Sequence, residues 1–221
     1  MNPNEDQAGR SKILIVDDHP LVREGLKLLI NQERDLTVCG EVGGCAEALD
    51  VVNRLQPDAA IVDLSLGAES GLDLVKRLQG LPQAPRVLVL SMHDEAIYAE
   101  RSLRAGALGY MMKRESSGRI VAALREVLRG SLVVSPAVAS HAAERFLRNG
   151  APSSPIDCLT DREIDVFRRI GHGEENRQIA DTLHLSLKTV QTHCAHIKEK
   201  LGYENAAVLM REAVKWVESQ V

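Results

Sequence analysis

Short apolar runs alternate with amphipathic stretches over residues 12–129, a pattern that predicts strands alternating with helices. The runs have the length and β-branched content of strands, and turn-forming residues lie nearby. They are Ile13–Val16, Leu36–Cys39, Ala59–Val62, Val87–Leu90 and Leu108–Met112. Because the runs are almost continuously apolar, we expect strands buried on both faces. The pattern therefore predicts an α/β, doubly wound, five-stranded parallel sheet with helices on both sides.

The alternation stops after Arg129, and only helical patterns follow. Pro136–Arg148 is predicted to form one helix, and Asn149–Pro155, rich in small and turn-forming residues, is the predicted flexible linker. We therefore expect two domains, a sheet domain at 12–131 and a small all-α domain at 157–221, joined by a connection at 132–156.

Four helices are predicted in the second domain. Thr160 and Glu163 have the spacing of a capping box, Asn176 and Ser186 are expected to cap the next two helices, and the last is expected at about 206–219. The helix after Ser186 has an apolar stripe that should face the core, formed by Val190, Cys194, Ile197 and Leu201. Its opposite side is small and polar, as in the second helix of a helix-turn-helix, which lies in the major groove of DNA.

The composition fits a globular protein, with 44% hydrophobic and 26% charged residues. An aromatic content of 3% argues against a base-stacking surface for single-stranded nucleic acid. No apolar run approaches the roughly 20 residues that cross a bilayer, and the polar N-terminus lacks a signal core. The four scattered cysteines form no C-x-x-C pair. We therefore expect a cytoplasmic protein with no membrane partner.

Side chains capable of phosphate chemistry follow the predicted strands at their carboxyl ends, where open α/β sheets bind ligands. They are Asp17 and Asp18 after the first strand, Asp63 after the third, Ser91 after the fourth and Lys113 after the fifth. In flavodoxin-like strand order the three carboxylates would share one pocket and repel each other unless a cation lies among them. Oxygen ligands suit Mg²⁺. A carboxylate, a divalent metal, a lysine and a hydroxyl together indicate phosphoryl transfer to the carboxylate.

These residues, with the segment Gly106–Lys113, resemble the receiver domain of bacterial two-component systems over about 12–131. The resemblance implies that a histidine kinase phosphorylates Asp63. It implies a Mg²⁺ site formed by Asp17, Asp18, Asp63 and the backbone carbonyl of Ser65, with Asp18 as a direct ligand. Ser91 and Lys113 would contact the phosphoryl group, and Tyr110 would be the aromatic residue that changes rotamer on activation.

Leu159–Glu163, Asn176–Ala180 and Ser186–His193 resemble the LuxR-type DNA-binding domain. Together with the receiver, the chain resembles the NarL/FixJ class of response regulators, which are not enzymes. The resemblance places Gln191, Thr192 and Ala195 nearest the base edges of double-stranded DNA, with Thr189 beside them. The basic candidates for phosphate contacts are Arg177, Lys188, Lys198 and Lys200.

The predicted function is a transcription regulator in which phosphorylation of Asp63 controls homodimerisation and DNA binding. A protein-interaction regulator with weak or lost DNA binding stays open, because residues 156–221 contain 9 basic and 11 acidic residues. A Mg²⁺-dependent phosphohydrolase of the haloacid dehalogenase type is disfavoured, since Asp17 and Asp18 are adjacent instead of having Asp-x-Asp spacing. A ligand-sensing LuxR-type regulator is disfavoured because the receiver pocket is complete.

Overall fold

The computed structural model describes residues 9–67, 69–140 and 155–218, except for the side chains of residues 155 and 157. The chain divides into two compact units, Met1–Glu144 and Arg145–Val221. The last eight residues of the helix predicted at Pro136–Arg148 lie outside the described residues, and so does most of the linker predicted at Asn149–Pro155.

The first unit contains a five-stranded parallel sheet formed by β1 (Ser11–Val16), β2 (Leu36–Val42), β3 (Ala59–Val62), β6 (Arg86–Ser91) and β7 (Gly109–Met112). The strand order is β2-β1-β3-β6-β7. A short antiparallel hairpin, β4 (Ser65–Leu66) and β5 (Glu69–Ser70), follows β3. The fold class is therefore the predicted one, and β1 lies next to β3 as the flavodoxin-like order requires.

Helices cover both faces of this sheet. They are α1 (Pro20–Asn31), α2 (Cys45–Leu55), α3 (Gly71–Gln79), α4 (Glu95–Arg104) and α5 (Ser117–Leu128). Ile13 and Ile15 of β1 share a core with Ile30 of α1 and Leu124 of α5. Every residue from Ile13 to Val16 is fully buried, which is why this run is continuously apolar. A further helix, α6, begins at Pro136 and is described up to residue 140.

Three predicted strands were too short: β1 begins two residues earlier, β6 extends one residue further at each end, and β2 differs most. The second strand continues three residues past Cys39, to Val42, although Gly40 and Glu41 interrupt the apolar run. A side chain at Gly40 would have its Cβ 2.9 Å from Val51 Cγ1, so the glycine is what lets α2 pack closely against this edge strand. The apolar pattern could not show this, because the strand is only partly buried beyond Leu36.

The second unit is helical throughout its described part. A 3₁₀ turn at Pro155–Cys158 is followed by α7 (Asp161–Gly171), α8 (Asn176–Thr182), α9 (Leu187–Leu201) and α10 (Ala206–Glu218). Thr160 and Glu163 form the predicted capping box of α7. The core contains Ile164, Phe167, Val190, Ile197 and Leu209, all of them at most 3% exposed.

The predicted cap of α8 was wrong by one residue. Glu175 is the N-cap, and Asn176 is already the first residue of the helix. The Gln178 side chain accepts a hydrogen bond from the Glu175 backbone N–H at 2.8 Å, so the cap is reciprocal. Gln178, three residues after Glu175, is the partner that places the cap at Glu175. Within the described ranges, no helix is long and apolar enough to cross a membrane.

Candidate phosphoryl-acceptor pocket and candidate DNA-binding helix

Three aspartates meet at the carboxyl edge of the sheet, as their positions predict. Asp17 and Asp18 follow β1, and Asp63 follows β3, the neighbouring strand. Asp17 and Asp63 are 2% and 3% exposed. One ligand atom from each aspartate and one from His19 lie within 4.8 Å of one another. A pocket of this kind concentrates negative charge where little water can screen it.

Lys113 places an ammonium group among these carboxylates. Its Nζ lies 2.6 Å from Asp17 Oδ2 and 2.7 Å from Asp63 Oδ2. Its backbone N–H donates to the Ser91 carbonyl at 2.8 Å, so the pairing of β6 with β7 continues to this residue and fixes the lysine at the pocket.

The charges of the pocket do not balance. Burial, with the Asp17 carboxylate adding to it, raises the pKa of Asp63 despite the opposing effect of Lys113. Burial alone would lower the pKa of Lys113, but the carboxylates of Asp63 and Asp17 outweigh it, and that pKa is raised. Burial is thus the main cause of the first shift, and the two carboxylates that share the Lys113 ammonium are the cause of the second. The pocket is therefore short of positive charge.

Ser91 and Tyr110 lie behind the pocket on β6 and β7, and both are almost completely buried. The Ser91 hydroxyl accepts a hydrogen bond from the His93 backbone N–H at 3.1 Å. The Tyr110 hydroxyl donates to the His93 carbonyl at 2.7 Å, and burial raises the pKa of this phenol above its ordinary value. The aromatic side chain thus points inward, and the backbone of His93 connects it to Ser91.

Two histidines were missed in the sequence. His19 Nδ1 lies 2.6 Å from Asp18 Oδ1 and 3.3 Å from Asp17 Oδ1. His93 Nε2 lies 2.8 Å from the Ser65 hydroxyl. His19 directly follows the acidic pair and His93 lies two residues after Ser91, so adjacency to strand-end residues was the available signal.

Backbone geometry holds the loop after Asp63. Gly67 has a φ of 59°, and its N–H donates to Asp18 Oδ2 at 3.0 Å. A Cβ on Gly71 would lie 2.0 Å from the Asp63 carbonyl, so only glycine fits there without moving the backbone that carries the acceptor. The hairpin β4–β5, whose turn includes Gly67, contains Ser65, whose backbone N–H helps to keep the pKa of Asp63 from rising further.

In the helical unit, α9 has the two faces that the sequence predicts. Val190 and Ile197 are fully buried, and Cys194 and Leu201 are partly buried. The opposite face is exposed and consists of Lys188, Gln191, Thr192 and Ala195. Ser186 caps the helix, since its hydroxyl accepts from the Thr189 N–H at 3.1 Å. The turn between α8 and α9 passes through His184, at a φ of 53°.

The basic candidates around α9 differ in their surroundings. Arg177 and Lys188 are exposed, and Lys198 is partly exposed. Lys200 instead has its Nζ 2.6 Å from Glu163 Oε2. Glu163 is 3% exposed; burial alone would raise its pKa, but Lys200 and the Thr160 cap outweigh it and lower that pKa. Lys200 thus joins the end of α9 to the start of α7.

Both units of the chain match known protein families. Residues 13–125 match the family model described as the response regulator receiver domain, and residues 157–213 match that of the bacterial regulatory proteins of the luxR family. The chain is 38% identical to a putative transcriptional regulator of Pseudomonas aeruginosa, covering 90% of this chain and 95% of the relative. It is 34% identical to the nitrate/nitrite response regulator protein NarP of Escherichia coli, covering 86% and 88%.

Solved structures show the same architecture. A two-component response regulator of the LuxR family from Aurantimonas sp. is 31% identical, with a TM-score of 0.57 over 62% of this chain and 99% of that chain. The response regulator ChrA of a heme-sensing two-component system is 28% identical, with a TM-score of 0.51 over 94% and 98%. The chain therefore belongs to the LuxR-type response regulators, two-component proteins in which a receiver domain is joined to a DNA-binding domain that controls transcription.

Proposed function

We propose that a histidine kinase phosphorylates Asp63 and that this event controls homodimerisation and sequence-specific DNA binding. The receiver would comprise 12–131, the connection 132–156 and the DNA-binding domain 157–221. The observation that carries the proposal is the pocket itself, in which the buried Asp63 carboxylate lies 2.7 Å from the Lys113 ammonium and beside a second buried aspartate.

The donor set of the pocket fits Mg²⁺. Asp17, Asp18, Asp63 and the backbone carbonyl of Ser65 would supply oxygen ligands, which this ion prefers. Asp18 Oδ1 is a buried atom without a hydrogen bond, and its close neighbour is the His19 ring nitrogen. Such an oxygen is what a cation site requires, and the shortage of positive charge points the same way. When bound, the ion would supply charge neutralisation for the phosphoryl oxygens.

The residues of the pocket suit an in-line transfer from a phosphohistidine. A carboxylate oxygen of Asp63 forms the new P–O bond while the P–N bond of the donor breaks, and the electron pair remains on the imidazole nitrogen. Lys113 already lies within hydrogen-bond distance of Asp63 and can pair with the arriving phosphoryl oxygens. The Ser91 hydroxyl accepts from the His93 N–H, so its own O–H can donate to the same phosphoryl group.

The exposed face of α9 suits recognition in the major groove. Gln191 can bind adenine with two hydrogen bonds, and Thr192 and Ala195 can contact a thymine methyl. We expect a binding site that is less dependent on guanine than one read by lysine. Thr189 is partly buried beside this face, and Arg177, Lys188 and Lys198 are placed to contact phosphates. Lys200, paired with Glu163, is better suited to orienting the helix.

The charge of the second domain makes dimerisation important for affinity. Residues 177–200 contain four basic and two acidic residues, so the basic surface is local. A weakly basic monomer gains affinity when two copies bind adjacent half-sites. On α10, Met210 is 50% exposed, an apolar side chain available for a contact between copies.

Selection of bound fragments from sheared genomic DNA tests the whole proposal. The selection is run with and without beryllofluoride plus Mg²⁺, and Asp63→Asn is the control. We expect a two-fold symmetric site that is enriched only with the phosphoryl mimic and not in the variant. Equal enrichment in both conditions would remove phosphorylation as the switch. No enrichment in either would favour the protein-interaction regulator.

A further inference from the structure

The segment that leaves α5 is fastened to the outer edge of the sheet. The Val133 N–H donates to the Leu108 carbonyl at 2.8 Å, and the Val133 carbonyl accepts from the Tyr110 N–H at 2.9 Å. Val133 thereby forms a parallel bridge with Gly109. A Cβ on Gly109 would lie 3.2 Å from Val133 Cβ, so the glycine allows the close approach. The chain that leads out of the receiver starts its path against β7.

A second contact fastens the start of α6. The Ser135 N–H donates to Glu95 Oε1 at 3.2 Å, and Glu95 lies in the first turn of α4. The Ser135 hydroxyl accepts from the Val138 N–H at 3.3 Å and caps α6. An otherwise free N–H at the beginning of α6 is thus satisfied by a carboxylate of α4. Both partners are partly buried, which strengthens a hydrogen bond to a charged acceptor.

Both contacts originate from residues next to the pocket. Tyr110 holds Val133 through its backbone, and its hydroxyl bonds the His93 carbonyl. The His93 N–H bonds the Ser91 hydroxyl. Two residues after His93, Glu95 holds Ser135. A Ser91 side chain that moves toward a phosphoryl group draws its oxygen away from the His93 N–H, so this bond is the point at which phosphorylation can disturb the connection to α4.

We infer that Glu95 and Tyr110 form a latch that holds the connecting segment on the receiver and opens when Asp63 is phosphorylated. The inference rests on the proposed function, because it needs Asp63 to accept a phosphoryl group. Withdrawal of Glu95 leaves the Ser135 N–H without its carboxylate, and a shift of the β7 backbone at Tyr110 loosens the bond to the Val133 carbonyl, so the order of residues 131–140 changes. The signal thus leaves the receiver through the chain that is covalently joined to the second domain.

Amide hydrogen exchange of the full chain tests the latch. Exchange is followed by NMR in residues 131–140 and in residues 63–66, with and without beryllofluoride and Mg²⁺. In the unmodified protein, the mimic should accelerate exchange at Ser135 by on the order of tenfold and slow it at 63–66. Glu95→Ala should exchange fast at Ser135 without the mimic. Glu95→Gln, which keeps an acceptor, should resemble the unmodified protein.

Glu100→Ala is the matched control, since it removes a carboxylate of the same helix that pairs with Arg104 at 2.9 Å. Equal exchange at Ser135 in Glu95→Ala and Glu100→Ala would overturn the latch. The latch would also be overturned if the mimic slowed amide exchange at residues 63–66 but left exchange at residues 131–140 unchanged. That outcome would still be consistent with phosphorylation at Asp63. A mimic that alters neither stretch would refute phosphorylation at Asp63. The comparison of the two alanine variants without mimic would then still decide whether Glu95 holds the segment.

Discussion

The ion pair between Glu163 and Lys200 should stabilise the DNA-binding unit by an amount that can be isolated. Glu163→Gln removes the charge but keeps the capping box, because Gln can accept from the Thr160 N–H as Glu does at 2.7 Å. Lys200→Met removes the ammonium and keeps the aliphatic chain. Comparing both variants with the double variant therefore gives the energy of the pair alone.

The expected magnitude follows from the burial of the two partners. A hydrogen bond to a charged group contributes roughly 1.5–3 kcal/mol in a buried setting. The Lys200 side chain is 35% exposed, so screening by solvent reduces the expected coupling to about 1 kcal/mol. Glu163→Ala, which also removes the cap, should cost about 2–3 kcal/mol.

The single tryptophan makes the measurement possible in the full chain. Trp216 lies in α10 with its ring 5.6 Å from that of Phe167, so its fluorescence reports unfolding of the helical unit. Urea unfolding followed at Trp216 gives the free energy of unfolding of each variant. Glu199→Gln is the control, because it removes an exposed charge from α9, the helix that contains Lys200. It should change the free energy of unfolding by less than about 0.5 kcal/mol.

The pH dependence provides an independent check. The pKa of Glu163 is lowered from 4.5, so the folded state binds the proton more weakly than the unfolded state. The pair therefore stabilises above pH 4.5, and this contribution is lost as the pH falls through the lower folded pKa. The difference between the unmodified protein and Glu163→Gln should shrink in acid. Additive effects of the two single variants, or a difference that is constant with pH, would refute the reasoning.

Three further outcomes are expected. Gly71→Ala should destabilise the receiver by about 2 kcal/mol or more in calorimetry, because its Cβ would meet the Asp63 carbonyl, whereas Gly118→Ala, with open space around it, should be neutral or stabilising. Gln191→Ala should cost about 1–3 kcal/mol in binding to the selected site and relax the base preference at one position, whereas Lys198→Ala should weaken all sequences alike and lower the salt slope by about one. An unchanged consensus for Gln191→Ala would contradict this placement of α9. Tyr110→Ala should retain phosphorylation of Asp63 but lose mimic-dependent dimerisation in size-exclusion chromatography, and unaltered dimerisation would remove Tyr110 from the switch.

The strands that are buried on both faces could be predicted closely, and the partly buried edges could not. Ala59–Val62 has the predicted bounds because all four residues are fully or almost fully buried. The β2 strand was predicted too short because Gly40 and Glu41 have no apolar signal. A strand that is buried on both faces can be recognised by its apolar residues. An edge strand also depends on backbone pairing, which almost any residue can make and which the sequence therefore does not indicate.

The candidate pocket was predictable for a topological reason. Neighbouring parallel strands end at the same edge, so residues after β1 and β3 must meet. Side-chain partners across loops follow no such rule. His93 reaches Ser65, and Lys200 reaches Glu163, through rotamers and loop paths that periodicity does not encode. The sequence therefore does not indicate that Lys200, among the basic candidates for DNA contacts, pairs with Glu163.

The bridge between Val133 and Gly109 also affects how the receiver behaves when it is cut from the chain. β7 is an edge strand, and its outward N–H and carbonyl groups at Tyr110 and Leu108 are paired by Val133. Unpaired edges invite pairing with other chains. A fragment ending at residue 131, the predicted domain boundary, would uncover this edge and should self-associate more readily than one ending at residue 140. The connecting segment thus also protects the solubility of the domain that it leaves.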